Sequence, residues 1–506
     1  MLPLFILVPL AALVLVNLPP GRFGRTCAPA LALLLAAAQA AAAIAWPQWL
    51  RTSDGVLEQF LSLHFAADLA LGRVLLLSIG IVSFVSVLVA GSLAGDARQR
   101  FHFASVLLIA MVGMNGVVLV GDLFSLYVFL EVTTVCSFVL IALQRGLLAL
   151  EGAFKYIMLS AVATTLMLGA IALLMMMAGG TSFAKVQEFM KSPGDGVLAK
   201  VAVGAFLCGL LVKGGMVPFH GWLPAAYSTA PAPVSVLLAG IVTKVSGIYA
   251  LLRLFGSLLP AGKDLLPVLG AGNAMGQLIL LAGAVSIVVG ALAALGQKDL
   301  KRMLAYSSIS QVGYIILGLG CAVAMWHRAG GQSGAEAAAT RAIAALAFAG
   351  AVFHLFNHSI FKSLLFVNSA ALEQRVGTTE LARMGGLSVR MPVTGVTNVI
   401  ALLSTAGVPP LAGFWSKLII VVALWKAGLY TYAGLAVLFS VVTLGYLLIM
   451  QRKIFFGELH EGLASVREAG FGVVLSELVL AALTVGVGLA APYLFNTFLL
   501  PVEKIL

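Results

Sequence analysis

The sequence predicts an all-α protein that crosses a membrane many times. Three observations carry this reading: 61% of the 506 residues are hydrophobic, only 10% are charged, and apolar runs follow one another almost from end to end. Soluble domains carry about 25% charged residues, and a spanning helix needs about 20 mostly apolar ones. In lipid only helices and closed barrels satisfy their own backbone groups, and these runs lack the in-and-out alternation of barrel strands.

Breaks at proline, glycine and charge clusters divide the chain into about fourteen spans, centred near residues 9, 36, 84, 111, 133, 167, 208, 243, 285, 315, 355, 405, 440 and 485. The first run, from Leu2 to about Val16, follows no basic segment and soon gives way to another apolar run, so it reads as a membrane helix rather than a signal. The connections are too short for a nucleotide-binding or iron–sulfur domain, and no phosphate-binding glycine motif appears. No cofactor is therefore expected, and any energy source lies in another chain or in an ion gradient. Cys27, Cys136, Cys208 and Cys321 are scattered and three of them lie inside apolar runs, which fits packing rather than a disulfide or metal framework. The net charge of +11 is spread over the connections without a basic block, so orientation in a membrane explains it better than nucleic acid does. The clusters Arg98/Arg100, Lys298/Lys301/Arg302, Arg375/Arg383/Arg390 and Arg452/Lys453 all fall on odd-numbered connections, which places both termini on the non-cytoplasmic face.

The informative charges are the few that remain inside apolar segments: Glu131, Lys213, Lys244, Lys362 and Lys417, with Glu477 in the last span. Each mid-span charge costs about 2.5 to 3.5 kcal/mol even on the lower scales. Five unpaired would consume roughly 12 to 17 kcal/mol, against a typical folding stability of about 5 to 15. They must pair, meet water or lose their charge. A structural ion pair with snorkelling lysines is the bland alternative, but Lys244 sits in VLLAGIVTKVSGIYALL, with apolar chain on both sides. A buried lysine is tuned down by desolvation and up by a carboxylate, which is what a proton relay needs.

Along the chain the polar features recur. Lys213 ends VAVGAFLCGLLVK and is followed by GGMVPFHGWLP, which brings Pro218 and His220 into the span. LGQKDLKRMLAYSSISQVGYI sets Lys298, Asp299, Lys301 and Arg302 at a span entrance as an orientation anchor, with Ser307, Ser308 and Gln311 entering the span as polar candidates. FHLFNHSIFKSLLF repeats His354, His358 and Lys362 every four residues, on one helical face. Stacked imidazoles can pass protons near neutral pH; a metal or haem site fits less well, without the HExxH glutamate or a nearby cysteine. TAGVPPLAGFWSKLIIV carries Pro409 and Lys417. Glycine and proline in mid-span mark discontinuous helices, tolerated only against protein or a water-filled cavity. The likeness of VPFHGW to VPPLAGFW points to two related halves.

These motifs together, with FSLYVFLEV around Glu131 and KGGMVPFHGWLPAAYSTAPAPVSVLLAG, resemble the antiporter-like subunits of respiratory complex I, Mrp-type sodium/proton antiporters and membrane-bound hydrogenases, over residues 100–420. The wording GVPPLAGFWSK looks most like the MrpD type of antiporter protein, and the lysine at 417 is unlike complex I subunit M, which has glutamate there. The resemblance implies fourteen helices with two inverted five-helix repeats. It divides the chain into 1–100 (first three helices), 101–260 and 261–455 (the repeats) and 456–506 (the last helix). It further implies that Glu131 pairs with Lys213, that Lys244 is the next station, that His354, His358 and Lys362 continue a central axis, that Lys417 ends it, and that His220 lies near the first break. Protons are then the cargo, with sodium as the further candidate, in a bacterial cytoplasmic membrane beside homologous subunits. The rivals are a redox-driven pump subunit, a non-transporting scaffold and an organic-solute carrier, the last disfavoured because no substrate-sized polar cluster is present.

Overall fold

The computed structural model describes residues 2–18, 22–46, 70–92, 97–191, 197–257 and 274–494. Apolar runs with few internal breakers close into helices, because each residue then satisfies its own backbone. The N-terminal helices are α1 (Leu4–Asn17), α2 (Arg22–Ala45) and α3 (Ala70–Ser92). Then come α4 (Ala97–Leu119), α5 (Leu123–Ile141), α6 (Leu147–Ala178), the short α7 (Phe183–Lys191), α8 (Val197–Lys213), α9 (Trp222–Thr229) and α10 (Ala232–Phe255). The second half holds α11 (Ala274–Leu295), α12 (Leu300–Gly330), α13 (Gly334–Val376), α14 (Pro392–Ala406), α15 (Ala412–Lys426), α16 (Tyr430–Phe455) and α17 (Phe471–Leu489). Among the described residues eleven helices are long and apolar enough to cross a membrane, with shorter apolar helices beside them. The all-α reading is borne out, and each expected span centre falls in a helix. The outermost residues at both ends, Met1 and 495–506, lie outside the described residues, and so does the far end of the last expected segment.

A recurring device relates the two halves. Asp122 caps α5 by accepting from the Ser125 N–H at 2.7 Å, and Asp299 caps α12 by accepting from the Arg302 N–H at 2.8 Å. Each cap lies in a short antiparallel bridge to the segment that follows the next helix or helix pair, Asp122 to Ser182 and Asp299 to Glu380. The backbone pairs match as well: Leu123 N–H donates to Thr181 O and Phe183 N–H to Gly121 O, while Leu300 N–H donates to Thr379 O and Leu381 N–H to Lys298 O. After this clamp, each half continues into a broken helix. The first break separates α8 from α9 at the cis peptide Val217–Pro218, and the second separates α14 from α15 at the cis peptide Pro409–Pro410.

Burial sorts the helices. Every residue of the most apolar window of α10 is buried, and nearly all of that of α12, so these two form the centre. By contrast α6 presents Leu147, Phe154, Met158 and Val162 outward, and α16 presents Val437, Leu438, Val441 and Ile449. Such an apolar exterior is what contact with lipid tails requires.

Candidate functional site: a buried row of ionisable groups

The row begins on α5 and α8. Lys213, the last residue of α8, is buried, and its Nζ lies 3.4 Å from Glu131 Oε1 and donates to Thr134 Oγ1 at 2.8 Å. Glu131 and Thr134 are three residues apart on α5 and therefore share a face. The sequence reading did not single out Thr134, although that spacing marks it. The Glu131 side chain is 34% exposed, so the pair sits near a flank of the chain. Pro218 lies exposed beyond it, and His220 is half-buried, its ring edge-on to Tyr306 at 6.4 Å and its Nδ1 without a partner among the described residues.

The break in the first half rests directly on the next station. A β-carbon on Gly247 would overlap the backbone of Gly214, so α10 approaches the end of α8 closely. At this contact α10 widens into two π-helical stretches, Leu238–Val242 and Lys244–Tyr249. Lys244 is fully buried, and its Nζ donates to the carbonyl of Ala239. Widened turns of this kind recur at functional sites, and nothing in the local composition of α10 announces one.

On α13 the three residues spaced by four are brought together as expected. His354 and His358 stack with ring centroids 6.2 Å apart, both fully buried. His354 Nδ1 meets Ser416 Oγ at 2.9 Å, whereas His354 Nε2 and both ring nitrogens of His358 have no partner among the described residues. Lys362 Nζ donates to Leu304 O at 3.2 Å, and Ser308 Oγ donates to the same carbonyl at 3.0 Å. Ser307 accepts from Tyr446 OH at 2.7 Å, and neither polar side-chain atom of the buried Gln311 has a partner among the described residues. Unpaired polar atoms at this depth are the groups that bound water satisfies. Lys244, Lys362, His354 and Lys417 all lie close enough to act electrostatically on His358.

Lys417 differs from Lys213 in how it meets its break. It lies inside the second half-helix, α15, and reaches back across the break to Thr405 O at 2.8 Å and Ala406 O at 3.4 Å, with Ser440 Oγ at 3.3 Å. Its ammonium stands 4.3 Å from the centre of the Tyr314 ring, an attractive placement over the π face. Pro409 is exposed next to the freed carbonyls. No carboxylate pairs with Lys417 among the described residues. Counting nine residues on from the capping aspartate gives Glu131 in the first half and Ser308 in the second, so the acidic partner has no counterpart there.

Two further cations are buried beyond those the sequence reading placed inside the spans. Lys301, expected to anchor the chain at the surface, is 2% exposed and pairs with Glu373 at 2.6 Å while donating to Ala230 O at 3.2 Å. Its position on α12 turns it inward, whereas Lys298 and Arg302 stay outside. Arg253 donates to the carbonyls of Val117 and Val118 near the C-terminus of α4 and lies over the Phe183 ring. The Lys301–Glu373 pair predicts an asymmetry: Glu373→Gln strands a buried ammonium and is expected to cost about 3 kcal/mol, while Lys301→Met leaves a half-exposed carboxylate and costs less. Thermal unfolding of both variants in detergent measures it, and equal losses would contradict the assignment.

The comparisons with known proteins agree with this geometry. The family described as NADH:quinone oxidoreductase/Mrp antiporter, TM, matches residues 120–330 and 331–443. The D-type subunit of the Na(+)/H(+) antiporter of Alkalihalophilus pseudofirmus is 32% identical over 447 residues, 87% of this chain and 83% of that protein. NADH-quinone oxidoreductase subunit N of Desulforudis audaxviator is 31% identical over 406 residues, 79% of this chain and 75% of that one. Among solved structures, a chain of the Mrp complex from Dietzia sp. DQ12-45-1b superposes with a TM-score of 0.83 at 25% identity, covering 100% of this chain and 96% of that one. The clamp, the broken helices and the buried row thus sit in a chain that belongs to the NADH:quinone oxidoreductase/Mrp antiporter family of membrane subunits.

Proposed function

We propose that the chain is the proton-conducting subunit of a multisubunit cation/proton antiporter of the Mrp type, set in a bacterial cytoplasmic membrane with both termini on the outer face. The observation that carries this reading is the row itself: Lys213, Lys244, Lys362, His358, His354 and Lys417 lie buried from the first break to the second, and of these, among the described residues, only Lys213 faces a carboxylate, the half-buried Glu131.

The mechanism is electrostatic. Closing the Glu131–Lys213 pair favours the ammonium form, and opening it favours release of a proton toward Lys244. Two charges about 4 Å apart at an effective dielectric of 20 interact by about 4 kcal/mol, equivalent to roughly three pKa units. Moving one charge through 100 mV takes about 2.3 kcal/mol. One opening of the pair therefore suffices for one relay step. The partial exposure of Glu131 adds a requirement for a neighbour, because a carboxylate facing lipid costs several kcal/mol. A companion membrane subunit or a hydrated cleft between subunits meets it.

A second reading, a subunit of a redox-driven pump, draws support from the likeness to NADH-quinone oxidoreductase subunit N. Ion transport in inverted vesicles that contain the assembled complex separates the two. A sodium-induced internal pH change, lost in Lys213→Ala, supports the antiporter. A pH change that ignores sodium and needs an electron donor supports the pump, and normal transport by Lys213→Ala rejects the charge axis in both.

A further inference from the structure

The row of lysines and histidines leaves a deeply buried acid, Glu477, unused. Glu477 on α17 is fully buried, and among the described residues no lysine or arginine pairs with it. Of the helices packed against α17, α14 carries no charged residue; α13 carries Lys362 and Glu373, which bond to Leu304 O and Lys301, the row's His354 and His358, and Glu336, Arg341 and Arg375 towards its ends, and α15 brings Lys417, held by carbonyls, and Lys426 at its end. On α3, Arg73 donates to the carbonyls of Ala43 and Ile44. The titratable group that acts on Glu477 is a second carboxylate, Glu468, in the segment before α17.

A single hydroxyl stands between the two acids. Thr394 Oγ1 lies 2.7 Å from Glu468 Oε1, 3.0 Å from Glu477 Oε1 and 3.3 Å from Glu477 Oε2. A threonine hydroxyl has one proton to donate, so it serves one carboxyl fully, and the other must supply a proton of its own. Glu468 is the better seat for the negative charge. It is half-buried, its Oε2 accepts the Val393 N–H at 2.9 Å, and that N–H belongs to the first turn of α14, where the helix dipole favours an anion. Glu477 is left as the acid, with one end of the Asn368 side-chain amide 3.2 Å from its Oε1.

Two polar stripes lead away from this point, and both end on the same group. Along α14 the buried residues Thr394, Thr397, Asn398, Ser404 and Thr405 recur at helical spacing, and Thr405 O receives the Lys417 ammonium. Along α16 Gln451, Thr443 and Ser440 share a face; Gln451 accepts from Asn398 Nδ2, and Ser440 accepts from Lys417. Thr394 and Thr405 are about 16 Å apart along the helix axis, eleven residues at 1.5 Å each, within reach of a short chain of hydroxyls, amides and water.

We propose that Glu477 holds an exchangeable proton and that Glu468, Thr394 and Glu477 form the end station of a side branch running between α14 and α16 to Lys417. In the transfer, the Glu477 O–H gives its proton to Thr394 Oγ1 as the Thr394 O–H proton passes to Glu468 Oε1. The hydroxyl is regenerated, Glu468 becomes the acid and Glu477 the carboxylate, which is then reprotonated from the Lys417 side; the reverse sequence loads Lys417. The branch rests on the axis proposed above, because Lys417 belongs to both.

The test uses the assembled complex in vesicles and compares wild type with Glu477→Gln, Thr394→Val, Thr394→Ser and, as the reference for the axis, Lys213→Ala. Glutamine preserves a hydrogen-bonding side chain of the same size but cannot release a proton, and valine matches threonine in shape without the hydroxyl. Both are expected to lower transport by about a hundredfold, the range of a positioned proton-transfer group, with Thr394→Ser restoring it. In infrared spectra of the same complex, the carbonyl stretch of a protonated carboxyl is expected in wild type and absent from Glu477→Gln. Full transport by Glu477→Gln and Thr394→Val beside a dead Lys213→Ala would overturn the branch and leave the axis standing. The missing stretch in wild type would overturn it independently of transport, and an active Lys213→Ala would remove the axis and the branch together.

Discussion

Lys244→Met is expected to abolish coupled proton movement while leaving the protein as stable as before, or more so. Lys244 is fully buried and its ammonium has a carbonyl, that of Ala239, as its hydrogen-bond partner, with no carboxylate in ion-pair contact among the described residues. A charge so placed contributes little to folding, since desolvation exceeds what a neutral partner returns. Replacing such a group with an apolar one of similar volume is often neutral or stabilising. Transport is different, because methionine has no proton to pass between Lys213 and His358, and a positioned proton-transfer group is worth about 10² to 10⁴ in rate. Thermal unfolding of the purified complex and pH-dye measurements on vesicles read the two quantities separately. Loss of both stability and assembly would mean that Lys244 is a packing residue, and retention of transport would remove it from the row.

The second large effect is expected from the smallest of substitutions. Gly413→Ala lies near the start of α15, where helix propensity alone favours alanine by about 1 kcal/mol. The tertiary contact reverses the sign. A β-carbon at Gly413 would overlap the carbonyl oxygen of Ser404 on α14, so α15 must move away from the break. Overpacking of this kind costs about 1 to 3 kcal/mol. The displacement also carries Lys417 away from Thr405 O and Ala406 O, which it reaches from α15, so transport is expected to fall with stability. Gly445→Ala in α16, where an added β-carbon meets nothing within 4 Å, is the control and is expected to be neutral or stabilising. A Gly413→Ala protein as stable and active as the control would contradict the close packing at the second break.

Much of the candidate site was legible because membrane depth makes charges conspicuous. Once lipid is recognised as the solvent, Glu131, Lys213, Lys244, Lys362 and Lys417 stand out against apolar neighbours. The common face of His354, His358 and Lys362 follows from helical periodicity, and the stacked imidazoles show it. Lys301 was not legible, because a lysine at a span entrance reads alike whether it turns outward to headgroups or inward to Glu373. Tyr314, Ser416 and Ser440 were missed because Tyr314 and Ser440 reach Lys417, and Ser416 reaches His354, from helices distant in sequence whose packing only the fold sets.

What the sequence by itself determined is therefore the solvent, the helical class, the spans and their two breaks, and the buried charges in mid-span, though not Lys301 or Arg253. All of these follow from composition and from rules that act within a span, where proline removes a hydrogen bond and apolar length must match bilayer thickness. Only the tertiary structure decided which charges meet. It places Glu131 against Lys213 but gives Lys417 carbonyls in place of an acid, widens α10 around Lys244, and sets Thr394 between Glu468 and Glu477. Each of these depends on how closely two helices approach, and that distance is fixed by residues on both, such as Gly247 against Gly214, whose pairing no single stretch of sequence contains.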